Sequence, residues 1–173
     1  CLDLPQDVLI TVMRKHQRYF PVLQDGRLLP YFIAVANGNA GHVDNIRQGN
    51  EDVLRARFAD AAYFVKRDRQ RALADFVPNL SRMTVHARLG TLLDKTARLE
   101  RVAPRLAERL GLSAAEAGDL ARAAHLSKAD IATQMGTELT SLQGAIGRDY
   151  ALADGEPDAV AAAIYAQYLP KSA

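Results

Sequence analysis

The side chains best suited to chemistry in this sequence are cations that recur through residues 85–110. They lie away from an apolar stripe with helical spacing, so a helix here would pack on one side and present positive charge on the other. The six cations are Arg88, Lys95, Arg98, Arg101, Arg105 and Arg109. Such a surface suits a polyanion such as nucleic acid, although arginines also coat the solvent-facing sides of ordinary helices. Charge alone leaves both interpretations open.

Positive charge is concentrated in the same part of the chain. Residues 47–110 contain 14 basic and 8 acidic side chains, whereas the rest contains 8 and 12, for a formal net charge of +2. This uneven distribution makes the middle of the chain the region most suited to meet an anionic partner.

A second group of chemically versatile side chains, His16-Gln17-Arg18-Tyr19-Phe20, joins a predicted helix to a predicted strand. A titratable ring, a guanidinium and two aromatic rings can together stack on a nucleobase and hold a phosphate. The alternative is that strand alternation turns Phe20 into the core and leaves His16 and Arg18 at the rim.

One arrangement suggests a metal. His86 and the later Asp130 resemble the layout of HD-type phosphohydrolases, in which a distant histidine, a His-Asp doublet and a later aspartate hold a divalent ion. Ala129 replaces the histidine of the doublet, and neither Asp149 nor Asp154 is placed by a motif. With half of the ligands in doubt, we expect no metal site.

Composition narrows the class of protein. The chain has 173 residues, 49% of them hydrophobic and 24% charged, and no apolar run approaches the roughly 20 residues of a membrane helix. Neither a secretory signal nor a disulfide framework is apparent, since Cys1 is the single cysteine, so we expect a cytoplasmic protein. Phosphate-loop, dinucleotide-binding, zinc-protease and hydrolase-elbow motifs do not occur.

The first part of the chain predicts a small α+β region. Pro5 can open a helix that runs to about Lys15, and Asp25-Gly26 is a hairpin signal between two β-rich runs. A helix with Asn50 as its N-cap follows, and Pro78-Asn79 marks a junction. We therefore predict one portion over residues 1–79.

The second part, residues 80–173, predicts a helical bundle. The apolar stripe indicates a helix with a kink or a fresh start before Pro104, closed by Gly111. Ser113 with Glu116 is a capping-box signal for a helix to about residue 125. Further helices are expected near 128–136, 139–152 and 157–168. The predicted fold class is α+β, mostly α.

The order of motifs resembles that of the beta subunit of bacterial glycyl-tRNA synthetase. The resemblance covers nearly the whole chain, and its strings are too long for coincidence. They include H-Q-R-Y-F-P at 16–21, L-P-Y-F-I-A-V at 29–35, G-N-E-x-V-L-R-A-R at 49–57, L-G-T-L at 89–92, K-A-D at 128–130 and L-Q-G at 142–144.

The resemblance implies a two-subunit ligase that uses ATP, with Mg²⁺, to charge tRNA(Gly) with glycine. The catalytic centre would lie on the alpha subunit, while the beta subunit handles tRNA and contacts that partner. This chain would hold the end of a B3/4-like α+β module over 1–79 and a degenerate HD-like helical module over 80–173. It would have no catalytic residues, no metal and no membrane contact of its own.

Charge and helical face, read with this resemblance, give the residues expected to contact tRNA: Arg55, Arg88, Lys95, Arg98, Arg101, Arg105, His16, Arg18 and Lys128. Two alternatives remain. The helical module could be an active HD-type metal-dependent hydrolase or editing module that uses His86 and Asp130, or the basic face could dock on an acidic subunit surface.

Overall fold

The computed structural model describes residues 4–170, which form two compact units that separate after Lys66. The described part is mostly helical with two short antiparallel strand pairs, which agrees with the predicted α+β, mostly α, class. The two units separate earlier than the junction predicted after Asn79, because the 3₁₀ helix Leu73–Arg82 packs against helices of the second unit. Within the described residues, no helix combines the length and the apolar content needed to cross a bilayer.

The first unit consists of a hairpin and the helical segments on either side of it. Its elements are α1 (Gln6–Thr11), a π-helical turn (Val12–His16), β1 (Phe20–Gln24), β2 (Arg27–Ile33), a 3₁₀ turn (Ala40–His42) and α2 (Val43–Asp68), of which the last two residues belong to the second unit. Both the predicted first helix and the predicted hairpin are confirmed.

The hairpin turn is fastened to α1. Asp25 and Gly26 have φ of 49° and 77°, and two successive positive φ angles are typical of the type I′ turns that suit twisted hairpins. The Gln6 side chain donates a 2.9 Å hydrogen bond to the Gly26 carbonyl and accepts one of 2.9 Å from the Leu28 N–H. One amide of α1 therefore holds both sides of the turn.

Helix α2 begins earlier than predicted. It starts at Val43, so the expected N-cap role of Asn50 is wrong. The Asn50 amide oxygen instead accepts a 3.0 Å hydrogen bond from the Tyr19 hydroxyl. The buried apolar side chains of α2 are Leu54, Ala61 and Val65, whose spacings of seven and four residues place them on one face of the helix.

The second unit is helical apart from one short strand pair. After the 3₁₀ helix Leu73–Arg82, its elements are β3 (Thr84–His86), β4 (Gly90–Thr91), α3 (Leu92–Leu110), α4 (Ala114–Leu126), a 3₁₀ turn (Ala129–Ala132), α5 (Gln134–Glu138), a 3₁₀ turn (Thr140–Leu142), α6 (Ala145–Ala153) and α7 (Asp158–Ala166). Helix α3 packs on α4, and α7 packs on both α4 and α6. The capping box of Ser113 and Glu116 is confirmed at the start of α4.

Helix α3 is continuous through Pro104, so the expected alternative of a fresh start there is wrong. Gly111 ends the helix at φ 64°, as predicted. The buried side chains of α3 are Thr96, Ala103 and Ala107. Most large members of the predicted apolar stripe are instead exposed, as is Val102 at 56%. Those stripe members are Val85, Leu89, Leu99, Leu106 and Leu110.

The helix predicted over 128–136 is interrupted at Thr133. The Thr133 hydroxyl accepts a 2.9 Å hydrogen bond from the Gly136 N–H and donates one of 2.7 Å to the Asp130 carbonyl. This N-cap starts a new helix, α5. Gly136 permits the close approach, because a Cβ there would collide with the Asp130 carbonyl oxygen.

The helix predicted over 139–152 is interrupted at Gly144. Gly144 has φ of 82°, which favours glycine, and a Cβ there would collide with the Tyr168 ring. The helix predicted over 157–168 is confirmed as α7.

A buried carboxylate joins the ends of the second unit's elements. Asp68 is 2% exposed and accepts hydrogen bonds from the Gln134 N–H at 2.9 Å, the Met135 N–H at 3.0 Å and the Tyr150 hydroxyl at 3.0 Å. Three donors therefore satisfy the Asp68 carboxylate. Burial raises the pKa of the Tyr150 hydroxyl, so this group stays protonated and can donate. Asp68 therefore fixes the first turn of α5 against α6.

Candidate nucleic-acid interface

The start of α3 is fixed by a reciprocal capping box. The Thr91 hydroxyl accepts a 3.2 Å hydrogen bond from the Asp94 N–H, and the Asp94 carboxylate accepts one of 2.7 Å from the Thr91 N–H. The Thr91 N–H and hydroxyl, by donating to that carboxylate, lower the pKa of Asp94. The Leu92 N–H also donates to the Met83 carbonyl at 2.8 Å. The first turn of α3 is therefore held at a defined position.

Four arginines follow along α3 and form what we call the arginine row. Their spacings of three, four and four residues bring them to one side of the helix. The row is Arg98, Arg101, Arg105 and Arg109. Arg98 is half-buried and donates a 2.9 Å hydrogen bond to the Leu89 carbonyl. The other three guanidinium groups are exposed.

The positive charge of the row is not neutralised by ion pairs in residues 4–170. Within that range, no carboxylate oxygen lies within 4.0 Å of the guanidinium of Arg101, Arg105 or Arg109. Glu100, on the same helix, contacts the His125 Nδ1 at 2.6 Å instead. Three exposed guanidinium groups on one side of a helix, without an ion-pair partner in the described residues, form the electrostatic footprint expected of a phosphate-binding surface.

On helix α2, the predicted tRNA-contact residue Arg55 is ion-paired, unlike the exposed members of the arginine row. The Arg55 guanidinium lies 3.1 Å from the Glu51 carboxylate and 3.1 Å from the Asp52 carboxylate. Arg47, about two turns earlier on α2, lies 3.3 Å from Asp44. Since two carboxylates compensate its charge, we expect Arg55 to attract a phosphate less strongly than the arginine row does.

Three other predicted contacts lie in the second unit. Arg88 is exposed after β3, and its N–H donates to the His86 Nδ1 at 3.1 Å. Lys95 is exposed in the first turns of α3, three residues before Arg98. Lys128 is half-buried, and its Nζ lies 4.1 Å from the centroid of the Tyr168 ring.

The segment His16 to Phe20 in the first unit only partly suits base stacking. The Tyr19 ring stacks on Phe32, with centroids 4.9 Å apart, so one of the two aromatic rings is already engaged. Phe20 is 59% exposed, so the alternative in which it faces the core is wrong. His16 and Arg18 are both exposed, and Arg18 has φ of 58°. A positive φ at a non-glycine residue is uncommon and marks local strain.

The expected relics of an HD-type metal site do not form a ligand cluster. His86 is exposed, whereas Asp130 is 0% exposed and its Oδ2 accepts a 2.6 Å hydrogen bond from the Gly144 N–H. Burial raises the pKa of Asp130. Across residues 4–170, no group of three or more His, Cys, Asp or Glu side chains is arranged to hold a metal ion.

The residues expected to contact tRNA omitted Arg109, and the support of Lys128 by Tyr168 was not predicted. Arg109 was noted as one of the six cations of this helix, and its spacing of four residues from Arg105 was a sufficient signal to include it. Tyr168 supports Lys128 from the far end of the unit, and no local pattern could have revealed a contact across that separation.

Comparison with known proteins gives a consistent result. The sequence model of one family, described as glycyl-tRNA synthetase beta subunit, matches residues 1–173. A glycine-tRNA ligase beta subunit from Clostridioides difficile (strain 630) is 48% identical over 172 residues, which cover 99% of this chain and 25% of the relative. One from Desulforudis audaxviator (strain MP104C) is 51% identical over 170 residues, with 98% and 25% coverage.

A third relative, the glycine-tRNA ligase beta subunit of Streptococcus gordonii (strain Challis), is 47% identical over 173 residues, which cover 99% of this chain and 26% of the relative. The chain thus spans about a quarter of the length of the curated relatives it matches.

Proposed function

The chain belongs to the glycyl-tRNA synthetase beta subunit family, and from this premise we propose that it holds tRNA(Gly) for ATP-dependent glycyl-tRNA formation. It contributes binding and scaffolding, while the catalytic centre, with its ATP and Mg²⁺, lies on the alpha subunit. The second unit is an HD-like helical module that serves in RNA binding and not in metal-dependent hydrolysis. The observation that carries the proposal is the uncompensated arginine row on α3.

The row supplies affinity through counterion release. Each phosphate that an exposed guanidinium neutralises displaces condensed cations, which gives salt-dependent and largely sequence-independent binding. A capped helix holds its cations at fixed intervals before the RNA binds. Its binding to the RNA backbone therefore loses little conformational entropy. The proposed role is therefore to grip and position the tRNA rather than to read its sequence.

The test is a titration of the chain with tRNA(Gly) at one moderate salt concentration. Replacing Arg101, Arg105 and Arg109 together by glutamine keeps a polar, unbranched side chain of similar helix propensity but removes three charges. We expect affinity to fall about 10- to 100-fold. Arg47→Gln with Arg55→Gln serves as the control, since those side chains are paired on α2. Unchanged affinity in the α3 variant would remove the row from the account.

A second candidate function is docking on a protein surface. The exposed apolar side chains of α3, with Val102 at 56% and Leu110 at 63% exposure, favour it. A protein partner would bury them, whereas an RNA backbone gains little from apolar contact. Co-elution of the chain with the alpha subunit, lost on Val102→Ser with Leu106→Ser, would support docking, and unchanged co-elution would exclude that face.

A further inference from the structure

One face of the hairpin in the first unit exposes two aromatic rings. Phe20 of β1 pairs with Ile33 of β2, and Tyr31 lies two residues before Ile33, so the three side chains share one face of the strand pair. Phe20 is 59% exposed, Ile33 58% and Tyr31 66%. We call these three side chains the hairpin platform. A group of large apolar side chains left open to solvent marks an interaction surface.

The opposite face holds the hairpin to its own unit. Phe32 stacks on Tyr19, with ring centroids 4.9 Å apart, and the Tyr19 hydroxyl donates a 3.0 Å hydrogen bond to Asn50 of α2. At the turn, the Gln6 side chain bonds to both sides. The strand pair is therefore fixed before a ligand arrives, so the platform loses little conformational entropy on binding.

Uncompensated cations adjoin the platform where β1 begins. Arg18 is exposed two residues before Phe20, in a left-handed conformation with φ of 58°. The Tyr19 N–H donates a 2.9 Å hydrogen bond to the Met13 carbonyl, which brings the π-helical turn with its exposed Arg14 against the start of the strand. Among residues 4–170, no carboxylate oxygen lies within 4.0 Å of either guanidinium group.

Flat rings beside unpaired cations suit the chemistry of a nucleotide. Its base offers a π-face on which an aromatic ring can stack, and its phosphate offers an anion for a guanidinium group. An aliphatic protein surface would use neither feature. Bases inside a duplex are already stacked on one another, so unpaired nucleotides are the ones with a free face.

We propose that the hairpin platform binds unpaired nucleotides, with Phe20 and Tyr31 each stacking on one base and Arg18 contacting an adjoining phosphate. The assignment of these nucleotides to the bound tRNA rests on the proposed function, whereas the platform itself does not. The arginine row would meet the RNA backbone, and the platform would meet bases. Stacking tolerates any base, so this contact also positions the RNA without reading its sequence.

The first test compares two oligonucleotides of about eight residues, titrated with the chain and followed by fluorescence anisotropy. One is oligoadenylate, and the other is an abasic oligomer with the same sugar-phosphate backbone. We expect oligoadenylate to bind at least about 10-fold more tightly, because the abasic oligomer keeps the phosphates but offers no base to stack. Equal affinities would overturn the proposal.

Ring substitutions locate the contact. Phe20→Leu and Tyr31→Leu should each weaken oligoadenylate binding about 5-fold or more and leave binding of the abasic oligomer unchanged, which also shows that the variants fold. Phe20→Tyr and Tyr31→Phe keep an aromatic ring and should bind like the unsubstituted chain. Tyr63→Leu, which removes a 56% exposed tyrosine of α2, is the matched control and should have no effect. Full oligoadenylate affinity in Phe20→Leu with Tyr31→Leu would overturn the platform.

The phosphate contact has its own signature. Arg18→Gln should weaken both oligomers alike, by about 3-fold, and should reduce the magnitude of the slope of log K against log salt by about 0.7. Arg55→Gln is the control, because that guanidinium is already paired with carboxylates. An unchanged slope in Arg18→Gln would overturn the phosphate contact.

A second copy of the chain is the rival occupant of this face. We expect sedimentation equilibrium to show no dimer that depends on Phe20 and Tyr31. A dimer that is lost in Phe20→Leu with Tyr31→Leu, in a chain whose oligoadenylate affinity the same change leaves intact, would assign the platform to self-association and overturn the proposal.

The last test uses tRNA(Gly). Phe20→Leu with Tyr31→Leu should weaken binding about 5- to 30-fold without changing the salt slope, because the rings carry no charge. If these changes abolish the preference for oligoadenylate but leave tRNA affinity unchanged, the assignment to tRNA is overturned. A ring-dependent preference for oligoadenylate in a chain that binds no tRNA would contradict the proposed function and the assignment to tRNA, but not the platform.

Discussion

Helices α2 and α3 are both rich in arginine, yet within residues 4–170 carboxylates pair with two arginines of α2, Arg47 and Arg55, and with none of the arginine row. Helix α2 contains five basic and five acidic side chains, and its Arg47 and Arg55 are each paired with carboxylates one turn away. Helix α3 contains five basic and three acidic side chains, of which Asp94 is committed to the helix cap and Glu100 contacts His125. The number of arginines is therefore a poor guide to a binding surface, and their pairing is the better one.

The largest expected effect comes from reversing one charge in the middle of the row. Arg105→Glu removes a cation and adds an anion that repels the RNA backbone, so tRNA affinity should fall about 30-fold or more. Arg55→Glu on α2 is the comparison, and we expect a loss several times smaller because Arg55 is already compensated. Equal losses at the two positions, measured by filter binding, would show that pairing does not distinguish the helices.

A smaller effect should follow when α3 is made to resemble α2. Ala97 is exposed and lies four residues before Arg101, so Ala97→Glu introduces a pair in the favourable orientation. We expect tRNA affinity to fall about 2- to 5-fold with no loss of thermal stability. Ala97→Gln, which adds the same length without charge, should bind like the unsubstituted chain. A similar decrease in the glutamine variant would point to steric obstruction instead.

The smallest effect is expected when α2 is made to resemble α3. Glu51→Gln with Asp52→Asn frees Arg55 from both partners and should strengthen tRNA binding by about 2-fold at most. Thermal unfolding should show a loss of stability of less than about 1 kcal/mol, because exposed pairs contribute little. An increase of tenfold or more would place α2 inside the binding surface and would restore Arg55 to the principal contacts.

Local signals predicted much of the fold. The positive φ angles at Asp25-Gly26, the glycine that closes α3 at Gly111 and the reciprocal bonds of Ser113 and Glu116 all depend on a few adjacent residues. Such short-range geometry can be predicted from residue types and their spacing. The hairpin, α4 and the C-terminal end of α3 were accordingly predicted with nearly correct bounds, whereas the start of α3 lies at Leu92 and not at Val85, where the predicted stripe begins.

Features that depend on residues distant in the sequence were predicted wrongly or were not predicted. Asn50 has the chemistry of an N-cap, but its amide accepts a hydrogen bond from Tyr19 while α2 continues past it. The apolar stripe of α3 was expected to be buried, whereas Leu106 and other large members are exposed and the smaller members Thr96 and Ala103 are buried. Periodicity locates a helix face but does not say what covers it.

In the candidate site, too, features set by local spacing could be predicted, and features set by distant residues could not. The spacing of Arg101 and Arg105 predicted their shared side of α3, and the spacing of Glu51 and Arg55 already contained the ion pair that compensates Arg55. The contact of Lys128 with Tyr168 joins residues that are 40 positions apart in the sequence, so it could be found only from the fold.

The proposed RNA contact is made by the unpaired charge on α3 and not by the paired charge on α2. The direct test is the slope of log K against log salt for tRNA(Gly), measured for the unsubstituted chain, for Arg101→Gln with Arg105→Gln, and for Arg47→Gln with Arg55→Gln. We predict that the slope becomes less steep by about 1.4 to 1.8 in the α3 variant and stays unchanged in the α2 variant. Equal slopes in all three chains, or a change confined to the α2 variant, would contradict the claim.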